Sequence, residues 1–372
     1  MTEFDMNTIA AADNLVGKNI GGWTVINKFP AADLSKGETG GTFSICYSVE
    51  REGKIYFMKV LDYKRAFMQR LKPGQSRAEV TGRYLLEFNY EKDLSNYCNS
   101  KKVSKIIRYI DSGEIEIEGY FISTVSYIVY EMANGNIRSF LDFSEKIDEA
   151  SILKTLVEKL KSLHDVATGL NSLHSIHVSH QDIKPSNVMI FSSLESKLGD
   201  LGRSLCFSPE IKCPYTFNHF LGDLNYAPPE ALFGFEIANL RERHYQADNY
   251  MLGGLVVFYL TSISMNAWLE LYLPAPMRDL YAQGIDFSRI LPCLLDAFQH
   301  ALIEIRKIIK VSSIRDMLIQ MITYLCNPDP RRRGHPVNLV ETSKTSNWDL
   351  YRTISELDLM YRRAKLELSQ LK

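Results

Sequence analysis

The stretch HQDIKPSN, residues 180–187, decides the fold, and its reactive side chains are Asp182, Lys184 and Asn187. It follows a segment with leucines at helical spacing and precedes the short apolar run VMIF, residues 188–191. Thirteen residues after Asn187 stands Asp200, which opens the tripeptide DLG after another short predicted strand. The pattern predicts two neighbouring strand ends that bring these polar side chains together.

The side chains of this stretch suit phosphoryl transfer from Mg-ATP. A triphosphate is strongly anionic, and Mg²⁺ is a hard cation that prefers oxygen ligands. Asn187 and Asp200 can supply those oxygens, while Asp182 can orient and deprotonate an attacking hydroxyl and Lys184 can offset charge on the transferred group. Taken singly, Asp182 and the DLG tripeptide are also compatible with ordinary turns. Their joint spacing favours a shared catalytic site.

With these motifs in view, the chain resembles the eukaryotic-type protein kinase family over about residues 16–340. HQDIKPSN is similar to the family's catalytic loop and DLG to its metal motif. Further landmarks follow in the family's order: FMKV with Lys59, NYEKDL with Glu91, YEMANG (130–135), APPE ending at Glu230, DNYMLGG with Asp248, and DPRRR with Arg333. The resemblance implies an α+β, bilobal fold with a small β-rich N-lobe (about 16–132, one main helix), a hinge (about 131–135) and a larger α-helical C-lobe (about 136–340).

The resemblance also implies roles for individual residues. Asp182 is the expected catalytic base, Lys184 stabilises the transferred group, and Asn187 and Asp200 bind Mg²⁺, with Mn²⁺ as an alternative metal. Lys59 is the expected ligand of the α- and β-phosphates and Glu91 its helix partner, although Glu87 lies one turn away. The expected ATP contacts are Gly40, Gly41, Cys46, Lys59, Glu131, Met132 and Met189. Core packing is the alternative for the two methionines.

Several positions depart from the family's pattern. Phe57 stands where a small alanine covers the adenine ring, and Thr39 and Ser44 replace two glycines of the Gly-rich loop. Asp223 replaces a threonine and could pair with Lys184 or repel Asp182. Ser95 takes a position that is usually large and apolar, which suggests a mobile helix.

Gln181 replaces the arginine that binds a phosphorylated activation loop in many family members, so the chain is similar to the non-RD type. We therefore predict that activity does not require phosphorylation of this loop. Lys184 implies Ser/Thr acceptors on a protein substrate, and the departures are more similar to bacterial eukaryotic-like kinases than to animal ones. A pseudokinase or scaffold module and a small-molecule kinase of the aminoglycoside type remain as alternatives.

Composition sets limits on the function classes. The chain has 372 residues, 45% of them apolar and 23% charged, and a formal charge of −1, which gives no global attraction to nucleic acid or anionic lipid. The six cysteines form no CxxC pair, and no secretory signal opens the sequence, so we expect a cytoplasmic protein. Residues 249–269 lack charge, and we interpret them as a buried core helix that continues into a loop, not as a membrane span.

The C-terminal part, residues 341–372, is predicted to form an amphipathic helix. Its apolar positions follow 4-3 spacing: Leu350, Ile354, Leu357, Tyr361, Ala364, Leu368 and Leu371. Docking of this face onto the larger lobe is one interpretation. Homodimerisation through residues 348–371 is the other, because the pattern extends over about three heptads.

Overall fold

The computed structural model describes residues 9–30, 44–140, 148–192, 194–216, 220–278, 286–340 and 346–371. The chain divides into two compact units. Unit 1 contains Met1–Lys102, Ile107–Asn134 and Glu210–Pro214, and unit 2 contains Val103–Ile106, Gly135–Pro209 and Tyr215–Lys372. Gly40 and Gly41, which we expect to contact ATP, lie outside the described residues.

Unit 1 is built on a six-stranded antiparallel sheet with the order β1-β2-β3-β4-β6-β5. Its strands are β1 (Asn19–Ile20), β2 (Trp23–Lys28), β3 (Ser44–Arg51), β4 (Lys54–Leu61), β5 (Tyr109–Glu116) and β6 (Thr124–Glu131). The β3–β4 turn is formed by Glu52 and Gly53, both at positive φ, which matches the twist of the flanking strands. The β-branched and aromatic residues of these segments form the predicted sheet.

Each face of this sheet is covered by a different partner. On one face, Met58 and Val60 of β4 pack with Tyr47 and with an N-terminal segment that includes Ala11 and Leu15. This segment lies before residue 16, where the kinase-like region was predicted to begin, and it is part of the hydrophobic core of unit 1. On the other face, Leu61 packs under the short α1 (Tyr63–Met68), which was not predicted, and the long α2 (Arg77–Ser100).

A capping box fixes the beginning of α2. The Ser76 hydroxyl accepts a hydrogen bond from the Glu79 amide at 3.1 Å, and the Glu79 carboxylate accepts one from the Ser76 amide at 2.7 Å. From this start the helix runs 24 residues and buries Val80, Tyr84, Phe88 and Glu91. The strand β4 and helix α2 thereby present Lys59 and Glu91 to one another.

Unit 2 is mainly helical. Its helices are α3 (Ile137–Phe140), α4 (Glu149–Ser175), α5 (Pro229–Leu232), α6 (Leu240–Thr261), α7 (Met265–Tyr272), α8 (Ala275–Arg278), α9 (Phe287–Ile308), α10 (Ser312–Leu325), α11 (Pro336–Val340) and α12 (Tyr351–Gln370). Its short strands are β7 (Gly135–Asn136), β8 (Val178–Ser179), β9 (Val188–Ile190), β10 (Ser196–Leu198) and β11 (Leu205–Cys206). They form the small sheets β10-β9-β7 and β11-β8. The predicted α+β class, with a sheet-rich first part and a helical second part, is confirmed.

Helix α6 is the core element of unit 2, since every residue from His244 to Tyr259 is buried. It ends at Thr261, where Ser262 takes a left-handed conformation, and α7 begins after the Ser264 cap. The uncharged stretch at 249–269 is therefore a buried helix, a short turn and part of a second helix. Among the described helices, none alone has both the length and the apolar character for a membrane span. Helices α6 and α7, bent by 81°, reach that combination only as a pair, by length and composition.

Helix α12 packs against α4 of the same unit. It is shorter than the predicted 341–372, and residues 341–345 lie outside the described ranges. Of the predicted apolar positions, Leu350, Leu357 and Ala364 are buried, whereas Leu371 is 46% exposed. Thr353 and Met360 are also buried, so the buried face is rotated relative to the predicted one. The helix docks within the chain, as one of the two interpretations expected.

Candidate active site

The backbone of the loop that begins at His180 is held by Asp248 of α6. This fully buried carboxylate accepts four hydrogen bonds, from the Ser179 hydroxyl (2.8 Å), the His180 and Gln181 amides (2.9 and 2.8 Å) and His174 Nε2 (2.8 Å). Gln181 has a positive φ of 65°, a conformation that costs free energy in a non-glycine residue. The Asp248 hydrogen bonds therefore fix a strained turn immediately before Asp182.

The same contacts set the ionisation of Asp248. Burial acts to raise its pKa, but the hydrogen bond and electrostatic contribution of His174 and the hydrogen bond from the Gln181 amide outweigh burial, so the net pKa lies below the usual value. The carboxylate is thus charged at neutral pH. A charged acceptor holds backbone amides more strongly than a neutral one.

His180 links the loop to the strand that precedes Asp200. Its Nε2 lies 3.1 Å from the Gly199 carbonyl oxygen, which can only accept, so Nε2 carries the proton. Nδ1 then accepts a hydrogen bond from the Asp182 amide at 3.3 Å. One buried imidazole therefore links the backbone at Asp182 to the backbone immediately before Asp200.

Asp182 is the hub of the site, and it is only 5% exposed. Its Oδ1 accepts a hydrogen bond from the Asp223 amide at 2.9 Å. Its Oδ2 lies 3.0 Å from both Asn187 Nδ2 and Lys184 Nζ. The carboxylate plane is therefore fixed from both sides, as a base that must meet a hydroxyl in one orientation requires.

Lys184 is shared between two carboxylates. Besides Asp182, its ammonium lies 3.5 Å from Asp223 Oδ2, and all three side chains are nearly buried. The Asp223 Oδ1 accepts two further hydrogen bonds, from the amide and the side chain of Asn225. Of the two outcomes expected for Asp223, the structure has the ion pair with Lys184.

Asn187 stands immediately before β9 and Asp200 shortly after β10, and these two strands pair antiparallel. The Gly199 amide donates to the Asn187 carbonyl at 2.9 Å, which brings the neighbouring Asp200 to the Asn187 end. The side-chain nitrogen of Asn187 donates to the backbone carbonyl and the carboxylate of Asp182. The side-chain oxygen of Asn187 is therefore the atom that can bind a cation. One amide oxygen and one carboxylate suit Mg²⁺, which keeps most of its ligands from water and phosphate. Within the described part of the chain, no group of three or more His, Cys, Asp or Glu side chains could hold a metal ion.

Gln181 is fully buried and turned into unit 2. Its Nε2 donates to the Ser179 hydroxyl at 2.6 Å and the His244 carbonyl at 3.1 Å, and its Oε1 lies 3.0 Å from His244 Nδ1. A side chain at Gly222 would collide with the Gln181 carbonyl oxygen. The Gln181 side-chain amide thus has its hydrogen-bonding groups used within the fold.

In unit 1, Lys59 and Glu91 form a bidentate ion pair. Lys59 Nζ lies 2.7 Å from each carboxylate oxygen of Glu91. The neighbouring Glu87 instead lies 4.0 Å from Arg83. The structure brings together the pair that the sequence favours.

The Glu91 carboxylate has another partner that the sequence did not reveal. The Tyr130 hydroxyl donates to it at 3.2 Å, and the Ser95 hydroxyl lies 3.1 Å from the Tyr130 oxygen. Ser95 was expected to loosen the helix, but it is buried and hydrogen-bonded to the neighbouring strand. No sequence period connects these positions, because Tyr130 and Ser95 are 35 residues apart.

The other predicted nucleotide contacts are divided between the two units, and each group is described within its own unit. In unit 1, Cys46 of β3 is paired opposite Lys59 of β4. Phe57 lies two residues before Lys59, on the same face of β4. The Phe57 ring is half-buried and packs 5.7 Å from the ring of Phe29. Glu131 and Met132 at the end of β6, and Met189 on β9 of unit 2, are half-buried as well. The two methionines are therefore not fully buried core residues.

A buried ion pair within unit 2 joins Glu230 to Arg333. Arg333 is fully buried and binds both oxygens of Glu230, at 2.5 and 2.8 Å. It also donates to the carbonyl oxygens of Asn327 and Gln246. The bidentate geometry is the one that a guanidinium forms with a carboxylate.

Three curated proteins illustrate the sequence similarity. Serine/threonine-protein kinase SSN3 of Candida glabrata is 26% identical over 182 residues, which are 46% of this chain and 30% of that protein. Calmodulin-binding receptor-like cytoplasmic kinase 1 of Arabidopsis thaliana is 27% identical over 183 residues, 48% of this chain and 34% of that protein. Mitosis inhibitor protein kinase SWE1 of Saccharomyces cerevisiae is 28% identical over 259 residues, 64% of this chain and 28% of that protein. The chain spans about a third of the length of these relatives.

The protein kinase domain family matches residues 36–343. This range contains the Lys59–Glu91 pair, the hub at Asp182 and the Glu230–Arg333 pair. The kinase fold that the motifs imply, with a β-rich N-lobe and a helical C-lobe, is confirmed. The chain belongs to the protein kinase domain family.

Proposed function

We propose that the chain is an ATP-dependent protein kinase that transfers the γ-phosphoryl group to serine or threonine hydroxyls of a protein substrate. The observation that carries this proposal is the arrangement around Asp182. One carboxylate oxygen is held by a backbone amide and the other by Asn187 and Lys184, so a base, a metal ligand and a cation are fixed together. Phosphoryl transfer depends mainly on such positioning and on electrostatic stabilisation.

In the proposed mechanism Asp182 orients the acceptor hydroxyl and takes its proton as the hydroxyl oxygen bonds to the γ-phosphorus. The bond between that phosphorus and the β,γ-bridging oxygen breaks, and ADP leaves with the electron pair. Lys184 offsets the charge that develops on the transferred group. Asn187 and Asp200 would hold Mg²⁺, with Mn²⁺ as an alternative, and the metal would neutralise phosphate charge. Lys59, oriented by Glu91, would bind the α- and β-phosphates.

The nucleotide contacts beyond these remain predictions from the family resemblance. Gly40, Gly41 and Cys46 would contact the phosphates and sugar side of ATP, and Glu131, Met132 and Met189 the adenine. The half-buried positions of Cys46, Met132 and Met189 support accessibility to a ligand. Phe57, the irregular Gly-rich loop and Asp223 favour the alternative of a pseudokinase or scaffold. Of these, Phe57 has a direct structural basis, because its ring and Phe29 occupy space on the Lys59 face of the sheet.

The finer assignments rest on single positions. Lys184 supports Ser/Thr acceptors, and the buried Gln181 supports a non-RD type that needs no loop phosphate. A bacterial origin stays a prediction, because the relatives named above come from yeasts and a plant. A cytoplasmic location, the domain limits at 16 and 340, and the absence of nucleic-acid and membrane partners also stay predictions. A homodimer through residues 348–371 would have to use the outer face of α12, where Leu359 and Leu366 are exposed.

The test is Mg²⁺-dependent transfer of labelled γ-phosphate to protein, with Asp182→Asn beside the wild type. We expect the variant to lose about 10²–10⁴-fold in rate, which is the usual contribution of a positioned base. Asp165→Asn is the matched control, since Asp165 is an equally buried carboxylate of unit 2 that binds Lys105 and Lys161 and lies outside the proposed site. A wild type that binds ATP but transfers nothing would favour a scaffold. Wild-type activity that survives in Asp182→Asn would refute the assignment of the base.

A further inference from the structure

We propose that Tyr130 is a positioning residue that, together with Ser95, holds Glu91 in its Lys59-bound place. The inference rests on the proposed function, in which the Lys59–Glu91 pair orients the nucleotide phosphates. It concerns two side chains to which the kinase resemblance assigned no role in that pair. Its basis is a continuous hydrogen-bonded chain from Ser95 through Tyr130 to Glu91 and Lys59.

The direction of this series of hydrogen bonds follows from the protons that each group can donate. The Tyr130 hydroxyl has one proton, and the ion-paired Glu91 carboxylate can only accept, so Tyr130 donates to Glu91. The contact between the Ser95 hydroxyl and Tyr130 must then have Ser95 as donor. This arrangement satisfies these three contacts together, and the Glu91 carboxylate receives a donor from β6 in addition to Lys59.

Burial makes these hydrogen bonds hard to replace. Glu91, Ser95 and Tyr130 are 5%, 3% and 9% exposed. Water has little access to the Glu91 carboxylate, so a donor lost there is not readily replaced by solvent. In a buried network of this kind each hydrogen bond polarises and strengthens the next one.

The positions of the three residues determine what the chain of hydrogen bonds fixes. Tyr130 lies on β6 opposite Phe57 of β4, two residues from Lys59. Glu91 and Ser95 are one turn apart on the same side of α2, so Tyr130 contacts the helix at two successive turns. Contacts at two turns fix the rotation of α2 as well as its distance from the sheet. The serine at position 95 thus replaces apolar packing with a directional contact.

The test compares Tyr130→Phe, Ser95→Ala and the double variant, with Tyr127→Phe as the matched control. Tyr127 is a buried tyrosine of the same strand that packs in the core on the opposite face. Two readouts are measured: kcat and KM for ATP, and hydrogen exchange of the α2 amides around residues 91–95. Exchange needs no turnover, so it tests the positioning role even if the wild type proves inactive and the proposed function fails.

We expect Tyr130→Phe to lower kcat/KM for ATP about tenfold and to speed exchange in α2, since a buried charge loses one donor. Ser95→Ala should have a smaller effect, about threefold, and no further effect when Tyr130 is already phenylalanine, because Ser95 acts through the Tyr130 oxygen. Tyr127→Phe should change neither readout. Unchanged α2 exchange in Tyr130→Phe, or additive effects of the two substitutions, would overturn the proposal.

Discussion

The substitution Asp248→Asn tests how the loop around Asp182 is held. Asp248 Oδ1 accepts the Gln181 amide, and Oδ2 accepts Ser179, the His180 amide and His174. An asparagine has one oxygen, so in either orientation its NH₂ group faces a donor. With the oxygen at the Oδ2 site, the Gln181 amide loses its acceptor. The variant also removes the negative charge that the pKa of Asp248 shows to be favoured in the fold.

The expected cost is large because the site is fully buried. An unsatisfied buried donor costs about 1–3 kcal/mol, and the loss of charge weakens the remaining hydrogen bonds. Breaking one partner of a buried charged network costs about 3–5 kcal/mol. We therefore expect the free energy of unfolding to fall by about 4 kcal/mol. Because Gln181 is held at positive φ next to Asp182, we also expect kcat to fall by more than tenfold in the fraction that stays folded.

Urea unfolding and phosphoryl-transfer kinetics measure the two effects, and Asp165→Asn separates them. Burial opposes ionisation of Asp165, but hydrogen bonds from His164, Ser196 and Lys161 lower its pKa to about 2. Ionisation of Asp165 thus contributes on the order of 2 kcal/mol to the free energy of unfolding above pH 4. This stabilisation is lost as the pH falls from about 4 to about 2. Asp165→Asn should lower stability without lowering kcat. An Asp248→Asn protein within 1 kcal/mol of wild-type stability and twofold of its kcat would contradict the reasoning.

Four further predictions concern single features of the site and the tail. The substitution Asp223→Asn keeps the backbone amide that binds Asp182 but removes a negative charge. We therefore expect kcat/KM for ATP to rise about threefold to tenfold at low salt. A tenfold fall in kcat/KM would show that the carboxylate is required. Phosphatase treatment should leave activity unchanged because Gln181 is buried and occupied; a silent enzyme that recovers on autophosphorylation would disprove this. The substitution Phe57→Ala should tighten ATP binding, measured by calorimetry, about tenfold. Tyr56→Ala, on the opposite face of β4, is the control. Weaker binding in Phe57→Ala would mean that the Phe57 ring stacks on the adenine. The substitution Leu357→Ala should lower the free energy of unfolding by about 2–5 kcal/mol, because Leu357 is buried. A monomeric mass in solution for both the wild type and a variant ending at residue 345 would exclude dimerisation through the tail.

The sequence predicted those parts of the site that are encoded locally. Asp182, Lys184 and Asn187 lie within six residues, and a hairpin of two short strands returns the chain to Asp200, so spacing alone indicated that they converge. The Lys59–Glu91 pair was instead implied by the resemblance to the kinase family, in which a strand lysine pairs with a helix glutamate. For the residues around Asp182, spacing along the sequence carries the information.

The contacts that hold the site in place were not predictable in the same way. The partners of Asp248 include His174, which is 74 residues away, and the partner of Gln181 is His244, 63 residues away. Such polar pairs have no period and depend on how helices pack. The tail shows a related limit, because Thr353 and Met360 flank the predicted apolar stripe and a small rotation of α12 decides which residues are buried.

The location of the departures from the family's pattern bears on whether the chain is a kinase or a scaffold. Drift in an unused site would leave buried polar groups without partners, which is costly. At the catalytic loop and α2 the opposite holds: Gln181 binds Ser179 and His244, and Ser95 binds Tyr130. Among the described residues, the departing position with an unpaired buried hydroxyl is Ser44, at the end of the Gly-rich loop. The departing residues Gln181 and Ser95 are therefore built into the fold, which favours an active kinase. The departures at Ser44 and Phe57, which bear on nucleotide binding, favour a scaffold.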